Sequence, residues 1–245
     1  MRIRIVGKAK DGVIPIGYRI MIVSLLKNAI EKGDKEYFDK LYYYNDKKNK
    51  KIKSFCFGTY LEDFKFEGDI IRVNGKMNIT ISTPDYILGI AIYNGLLKLG
   101  TYKFKDKYEF IREKVILEKE KWITTENIVL KTLSPIVIKN SEGKPVDIAN
   151  PDYSKELNYI CNLMLNSYRG YGLRKNLIFN PVTMKKNVIK EEITGFSNNS
   201  KKKFIYINGY SGTFVLEGDI EDLNLLLQLG IGFRRSEGFG LISLV

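Results

Sequence analysis

The chain has 245 residues, a hydrophobic share of 44% and a net charge of +12, from 40 Lys+Arg against 28 Asp+Glu. That length suits one large domain or two of about 100–150 residues, and no apolar run reaches the ~18–20 residues of a membrane span. The excess of cations points to a polyanionic partner, nucleic acid ahead of a membrane surface. There is no histidine, so proton transfer near neutral pH falls to tyrosine, lysine or carboxylates.

Residues 2–8 alternate as a strand, and the N-terminus lacks the long apolar stretch of a signal peptide. Pro15 precedes a helical stretch over 18–32. Ser24, Lys27, Asn28 and Glu31 share one of its faces, and Ile22, Leu25, Leu26 and Ala29 the other. A short helix follows over 34–40, then a basic, aromatic, unpatterned loop, YYYNDKKNKKIK. Residues 52–60 read as a strand. Asn74-Gly75 lies between two alternating runs and predicts a hairpin turn. Residues 84–99 read as a helix with Pro84 in its first turn, and 108–120 alternate again.

The joint is placed at Trp122–Thr125. Beyond it come a strand over 128–138 broken by Ser-Pro, a helix after Pro151, and strands over 182–193 and 202–216 around the polar insert SNNSKKK. Asp219 is the expected N-cap of a helix that Gly230 ends, and LISLV is the last strand. The halves repeat one plan, so the expected fold is α+β, with tandem ferredoxin-like (RRM-like) βαββαβ domains over 1–122 and 123–245. The two cysteines, Cys56 and Cys161, stand alone in apolar surroundings; they fit buried thiols of a cytoplasmic protein better than a metal site.

The glycine-rich loop 230–240, GIGFRRSEGFG, holds four glycines and two arginines. Glycine lets backbone approach a ligand closely, and arginine gives bidentate phosphate contacts. Gly230, Gly232, Arg234, Arg235, Gly238 and Gly240 are therefore candidate RNA contacts, with a plain glycine-rich connector as the bland alternative. Lys50, Lys53, Arg169 and Arg174 are further candidates, as is the Lys201–Lys203 run.

The loop, its place between a helix and the last strand, the Leu133-Ser134-Pro135 segment, the EFIREKVILEKE strand and the Pro15…Asn28-Ala29-Ile30 spacing together resemble CRISPR-associated endoribonucleases that process precursor CRISPR RNA. The resemblance spans almost the whole chain. It implies tandem ferredoxin-like domains and binding of CRISPR repeat RNA partly in the cleft between them. It further implies metal-independent cleavage to 2′,3′-cyclic phosphate and 5′-hydroxyl ends, without cofactor. It leaves effector-complex subunits and a second copy of the chain open as partners, and it implies no membrane association. Relatives often carry a tyrosine, a histidine and a lysine in the site. Alignment on these motifs puts Lys27, Tyr42 and Lys51 at those positions, with Tyr43 and Tyr44 close to equivalent to Tyr42. The plainer reading makes Lys27 a solvated helix-face lysine and 47–51 a solvated charge run. A member of the fold that binds repeat RNA without cutting it is the alternative function.

Overall fold

The computed structural model describes residues 1–44, 47–192 and 204–245. The first half contains β1 (Arg2–Ala9), β2 (Val13–Pro15), α1 (Tyr18–Gly33), α2 (Lys35–Tyr42), β3 (Tyr43–Tyr44), β4 (Lys47–Lys48), β5 (Cys56–Leu61), β6 (Phe64–Glu67), β7 (Ile70–Val73), β8 (Met77–Ser82), α3 (Tyr86–Lys98), β9 (Thr101–Phe104) and β10 (Tyr108–Glu118). Its main sheet has the order β5-β8-β1-β10-β9, antiparallel throughout. With β9 as an added edge, this is the ferredoxin-like order. Alternation in β1 turns Ile3 and Ile5 inward, where they face Ile81 and Ile79 of β8 across the strand pair. Met21, Ile22, Leu25, Leu26, Ala29 and Ile30 form the buried stripe of α1 over this sheet, which leaves Lys27 outside.

The second half contains β11 (Asn127–Thr132), α4 (Asp152–Arg169), β12 (Ile178–Pro181), β13 (Lys185–Glu192), β14 (Phe204–Ser211), β15 (Thr213–Glu217), α5 (Ile220–Leu229) and β16 (Ile242–Leu244). The order β12-β15-β11-β16 repeats the ferredoxin-like plan. Leu130, Phe214 and Leu216 of its sheet pack with Leu157 and Cys161 of α4 and Leu226 of α5 in a second core. Each half carries a hairpin arm between its second and third ferredoxin strands: β6–β7 in the first, β13–β14 in the second.

The two halves are tied directly. Arg2 donates to the carbonyl of Ile242 at 2.8 Å, and the Ser134 hydroxyl donates to that of Phe57 at 3.2 Å. Leu241 N–H donates to the Ser134 hydroxyl at 2.9 Å. The Leu-Ser-Pro segment therefore pins the end of the glycine loop to the first half.

Three expectations change. No hairpin turns at Asn74-Gly75: the tight turn is at Gly68-Asp69, and β8 pairs with β5 and β1 rather than with β7. Asn74 and Gly75 instead meet Asp63 and Glu62 where the β6–β7 arm leaves the sheet. Pro84 stands before the N-cap, because the Asp85 carboxylate accepts from Leu88 N–H and starts α3 itself. The unpatterned loop after α2 contains the small β3–β4 pair, and the Lys201–Lys203 run lies outside the described residues.

Candidate RNA interface

Lys27, Tyr42 and Lys53 come together outside the first core. Asp34 caps α2 by accepting from Tyr37 N–H at 2.9 Å, and the helix delivers Tyr42 at its last position. The Tyr42 ring packs on Phe38 at 4.9 Å between centroids. Lys27 Nζ lies 5.0 Å from the ring centroid of Tyr42 and Lys53 Nζ 5.1 Å from it, both within cation–π reach. Lys53 is held by donation to the carbonyls of Leu41 and, at 3.1 Å, Asn49.

The electrostatics of this cluster are asymmetric. Burial first, and the nearby Lys27 charge second, lower the Lys53 pKa, so its neutral amine is more accessible than that of a free lysine. Burial pushes the Tyr42 phenol well above its ordinary range. Tyr42 therefore stays protonated and keeps an O–H to donate. Its hydroxyl has no hydrogen-bond partner among the described residues.

Two cavities meet here. One, of about 350 Å³, is lined by Lys27, Tyr42, Lys48 and Lys53, and on the far side by Ser236 and Glu237 of the glycine loop. The other, of about 300 Å³, lies between Lys50, Lys51 and Lys53 and loop residues 232–237. Lys51 is exposed and lines the second cavity, and of the two lysines only Lys53 reaches the Tyr42 cavity.

The loop itself departs from an open backbone cradle. All four glycines are buried. A Cβ on Gly230 would come 2.7 Å from the Gly240 carbonyl oxygen, and one on Gly232 2.7 Å from that of Val137. Ile231 N–H donates to Gly240, Phe233 N–H to Val137 and Gly240 N–H to Pro135. The glycines let the loop fold against its own protein, and these N–H groups are spent there. Arg234, Ser236 and Glu237 form the accessible tip, with Arg234 bonded to Glu237 at 2.6 Å. Arg235 is turned inward, 5% exposed, and donates to the carbonyls of Leu229 at 2.6 Å and Lys53 at 3.4 Å.

Arg169 and Arg174 are also occupied. Both reach the fully buried Asp222 carboxylate, at 2.6 and 3.1 Å, and Arg169 stacks on Tyr171 at 4.1 Å. They lock the end of α4 to α5, which the SYRGYGLRKN stretch did not reveal. Cys56 and Cys161 are buried free thiols, each pushed up to about 12 by burial. Among the described residues no cluster of three or more His, Cys, Asp or Glu could hold a metal ion, and no helix is long and apolar enough to cross a membrane.

A further groove of about 400 Å³ opens between β1, β10 and α5, lined by Arg2, Arg4, Lys119, Lys121 and the exposed Trp122. Pairing of β1 with β10 adds Arg2 and Arg4 to the neighbouring Lys119 and Lys121, with Glu118 and Glu120 also on the wall and Glu118 bonded to Arg4 at 2.8 Å.

Tandem ferredoxin-like halves meeting at a glycine loop define a class of RNA-binding folds. The family model described as CRISPR associated protein Cas6, C-terminal, matches residues 117–244, and the chain belongs to the Cas6 family. Members of this family are endoribonucleases that process CRISPR RNA. The fold is similar to that of a Cas6-related protein from Pyrococcus furiosus, with TM-score 0.80 and 19% identity over 100% of this chain and 98% of that one. It is also similar to an RAMP protein binding different RNA substrates (TM-score 0.78, 19% identity, 100% and 99% covered) and to a CRISPR associated protein Cas6 (TM-score 0.72, 21% identity, 100% and 99% covered). No curated protein sequence matches the chain.

Proposed function

We propose that this chain is a metal-independent endoribonuclease that cuts CRISPR repeat RNA through a histidine-free site. The carrying observation is the convergence of Lys27, Tyr42 and Lys53 on one cavity faced by the glycine-loop tip. We place the domain boundary between residues 122 and 123, so that each domain contributes one wall of the site.

In this mechanism the 2′-hydroxyl upstream of the scissile phosphate gives its proton to neutral Lys53 as its oxygen bonds to phosphorus. The bond from phosphorus to the 5′-oxygen breaks, and the Tyr42 hydroxyl supplies the proton that oxygen needs. The products are a 2′,3′-cyclic phosphate and a 5′-hydroxyl. Proton exchange between Lys53 and Tyr42, adjacent in the cluster, resets the site. Lys27, Lys50 and Lys51 stabilise the negative charge that builds on the phosphoryl oxygens, an electrostatic contribution that is often the largest in catalysis. Arg234 holds the flanking backbone from the loop side. The groove around Trp122 offers a stacking surface and cations for single-stranded RNA farther from the cut.

The test is incubation of the protein with repeat RNA from its own CRISPR array in EDTA. Cleavage at one site with a cyclic phosphate end is expected. Tight binding of intact RNA that is never cut would overturn the nuclease reading and leave the non-cleaving binder.

A further inference from the structure

Next to the proposed reaction cavity lies a larger one, of about 480 Å³, between α1 and the β13–β14 arm. The size lies within the range of small-ligand pockets. Its walls are apolar: Ile20 and Val23 from α1, Phe104, Ile205 and Ile207, and Phe239 from the glycine loop. Lys27, Lys105 and Arg234 stand around it. It shares Val23, Lys27 and Glu237 with the reaction cavity, so the two are contiguous.

Arg19 gives this cavity a mostly buried donor set. Its side chain is 13% exposed. One Nη donates to Glu191 at 2.9 Å, and the guanidinium lies 4.9 Å from the centroid of the Phe239 ring. The neighbouring Tyr18 shares a side-chain hydrogen bond with Arg19, and its ring lies 4.8 Å from the guanidinium, so the two contacts orient the remaining N–H groups. Glu191 neutralises the charge of Arg19, although burial holds that carboxyl above its ordinary range despite the arginine. A neutralised guanidinium in an apolar slot selects a flat, uncharged group with acceptors over a phosphate. The arm is fixed to the first half by three consecutive residues: Lys190 to Asp69 at 3.1 Å, Glu191 to Arg19, and Glu192 to Lys105 at 2.9 Å. The far wall of the slot is therefore clamped in place.

We propose that this cavity receives one unstacked nucleobase of the RNA, beside the scissile phosphate, and that Arg19 reads its acceptor edge. Guanine fits best, because O6 and N7 together accept both forks of an arginine, the commonest specific arginine–base contact. Unstacked bases held on aromatic or guanidinium planes and read at their edges are the general mode of single-stranded RNA recognition. The proposal rests on the repeat-RNA reading above and names the subsite that reading lacks.

The experiment measures binding of the array's repeat RNA, made uncleavable by a 2′-deoxy sugar at the cut site or, if nothing is cut, at each position in turn. Each position is replaced by an abasic site and by each other base. For the wild-type protein, one position beside the cut should lose about 5- to 100-fold in affinity when the base is removed. The same position should lose about 5- to 100-fold when guanine is replaced by adenine or uracil, and part of that for 7-deazaguanine, which lacks the N7 acceptor. Arg19→Lys should bring the four bases within twofold. Ile20→Trp, which fills the slot, should bind intact and abasic RNA alike. Equal wild-type affinity for all four bases and the abasic site at every position would overturn the subsite while leaving RNA processing intact. Failure to bind the repeat RNA at all would overturn both readings.

Discussion

Gly240→Ala tests whether the loop glycines serve the protein or the RNA. Gly240 has φ +68°, and a Cβ there would lie 1.9 Å from the carbonyl oxygen of Ile231. Carbon and carbonyl oxygen tolerate about 3.3–3.6 Å, so the backbone must shift by more than about 1 Å. Two hydrogen bonds are in the way: Ile231 N–H to Gly240 at 2.9 Å and Gly240 N–H to Pro135 at 2.8 Å. A left-handed non-glycine residue costs about 1–2 kcal/mol and each lost bond about 0.5–1.5 kcal/mol. Backbone resists on both sides of the clash, so the total belongs near the top, about 4–5 kcal/mol. Gly68→Ala is the internal control: φ is +64° and nothing lies within 4 Å of the added carbon, which leaves about 1–2 kcal/mol. For a chain of this size about 3 kcal/mol of difference lowers Tm by roughly 6–12 °C. Thermal unfolding of the two variants measures that gap. A Gly240→Ala protein that melts like Gly68→Ala but has lost RNA affinity would refute the packing account and restore the glycines as a ligand cradle.

Further outcomes follow from the site and from the α4–α5 lock. The cleavage rate should rise with pH above 6 without a histidine step and level off below the ordinary lysine value of 10.5, because the Lys53 pKa is lowered. Lys27→Met removes a like charge that helps lower it, so the plateau should move to higher pH; a shift downward would exclude Lys53 as the base. Tyr42→Phe should slow single-turnover cutting by about 10²–10⁴-fold, the usual span for one general acid, with RNA affinity within twofold. Asp222→Ala leaves Arg169 without its buried partner and should cost about 3–5 kcal/mol in denaturant unfolding. Arg169→Ala should likewise lower Tm yet leave RNA affinity within twofold, and a selective loss of affinity would make Arg169 an RNA contact.

The ferredoxin plan was legible because its signals are local. Period-two alternation marked β1 and β10, 3.6-residue periodicity marked α1, and Asp219 and Gly230 bracketed α5. Asn74-Gly75 misled because a turn dipeptide says nothing about which strands it joins, and β8 gains more by pairing with β1, where Ile79 and Ile81 meet the core. The family's spacing singled out Lys27 and Tyr42, and the structure sets them side by side. That Lys53 and not Lys51 stands beside Tyr42 was hidden, since it depends on which lysine the Leu41 and Asn49 carbonyls capture. The fates of Arg169, Arg174 and Arg235 were equally hidden. A cation in a loop looks like a phosphate ligand until a buried carboxylate or carbonyl claims it, and those partners lie 53, 48 and 6 residues away in sequence.

Arg235 joins the two ends of the site. Its buried guanidinium has carbonyl acceptors, Leu229 and Lys53, and no carboxylate among the described residues. One acceptor is the last residue of α5, at the root of the glycine loop; the other is the backbone of the proposed base. The arginine thus fixes the loop and Lys53 relative to each other. Desolvating this cation is costly, and burial lowers its pKa, so replacing it by an apolar side chain of similar length should change stability little. Arg235→Met is therefore expected to fold and to bind repeat RNA within twofold of the wild type. Cutting of bound RNA should fall between about ten- and a hundredfold, the loss that accompanies misplacing a reacting group by around an ångström. Single-turnover rates and equilibrium binding separate the two effects. If affinity falls and the rate for bound RNA does not, Arg235 reaches the RNA directly, and the inward orientation is not the one that works.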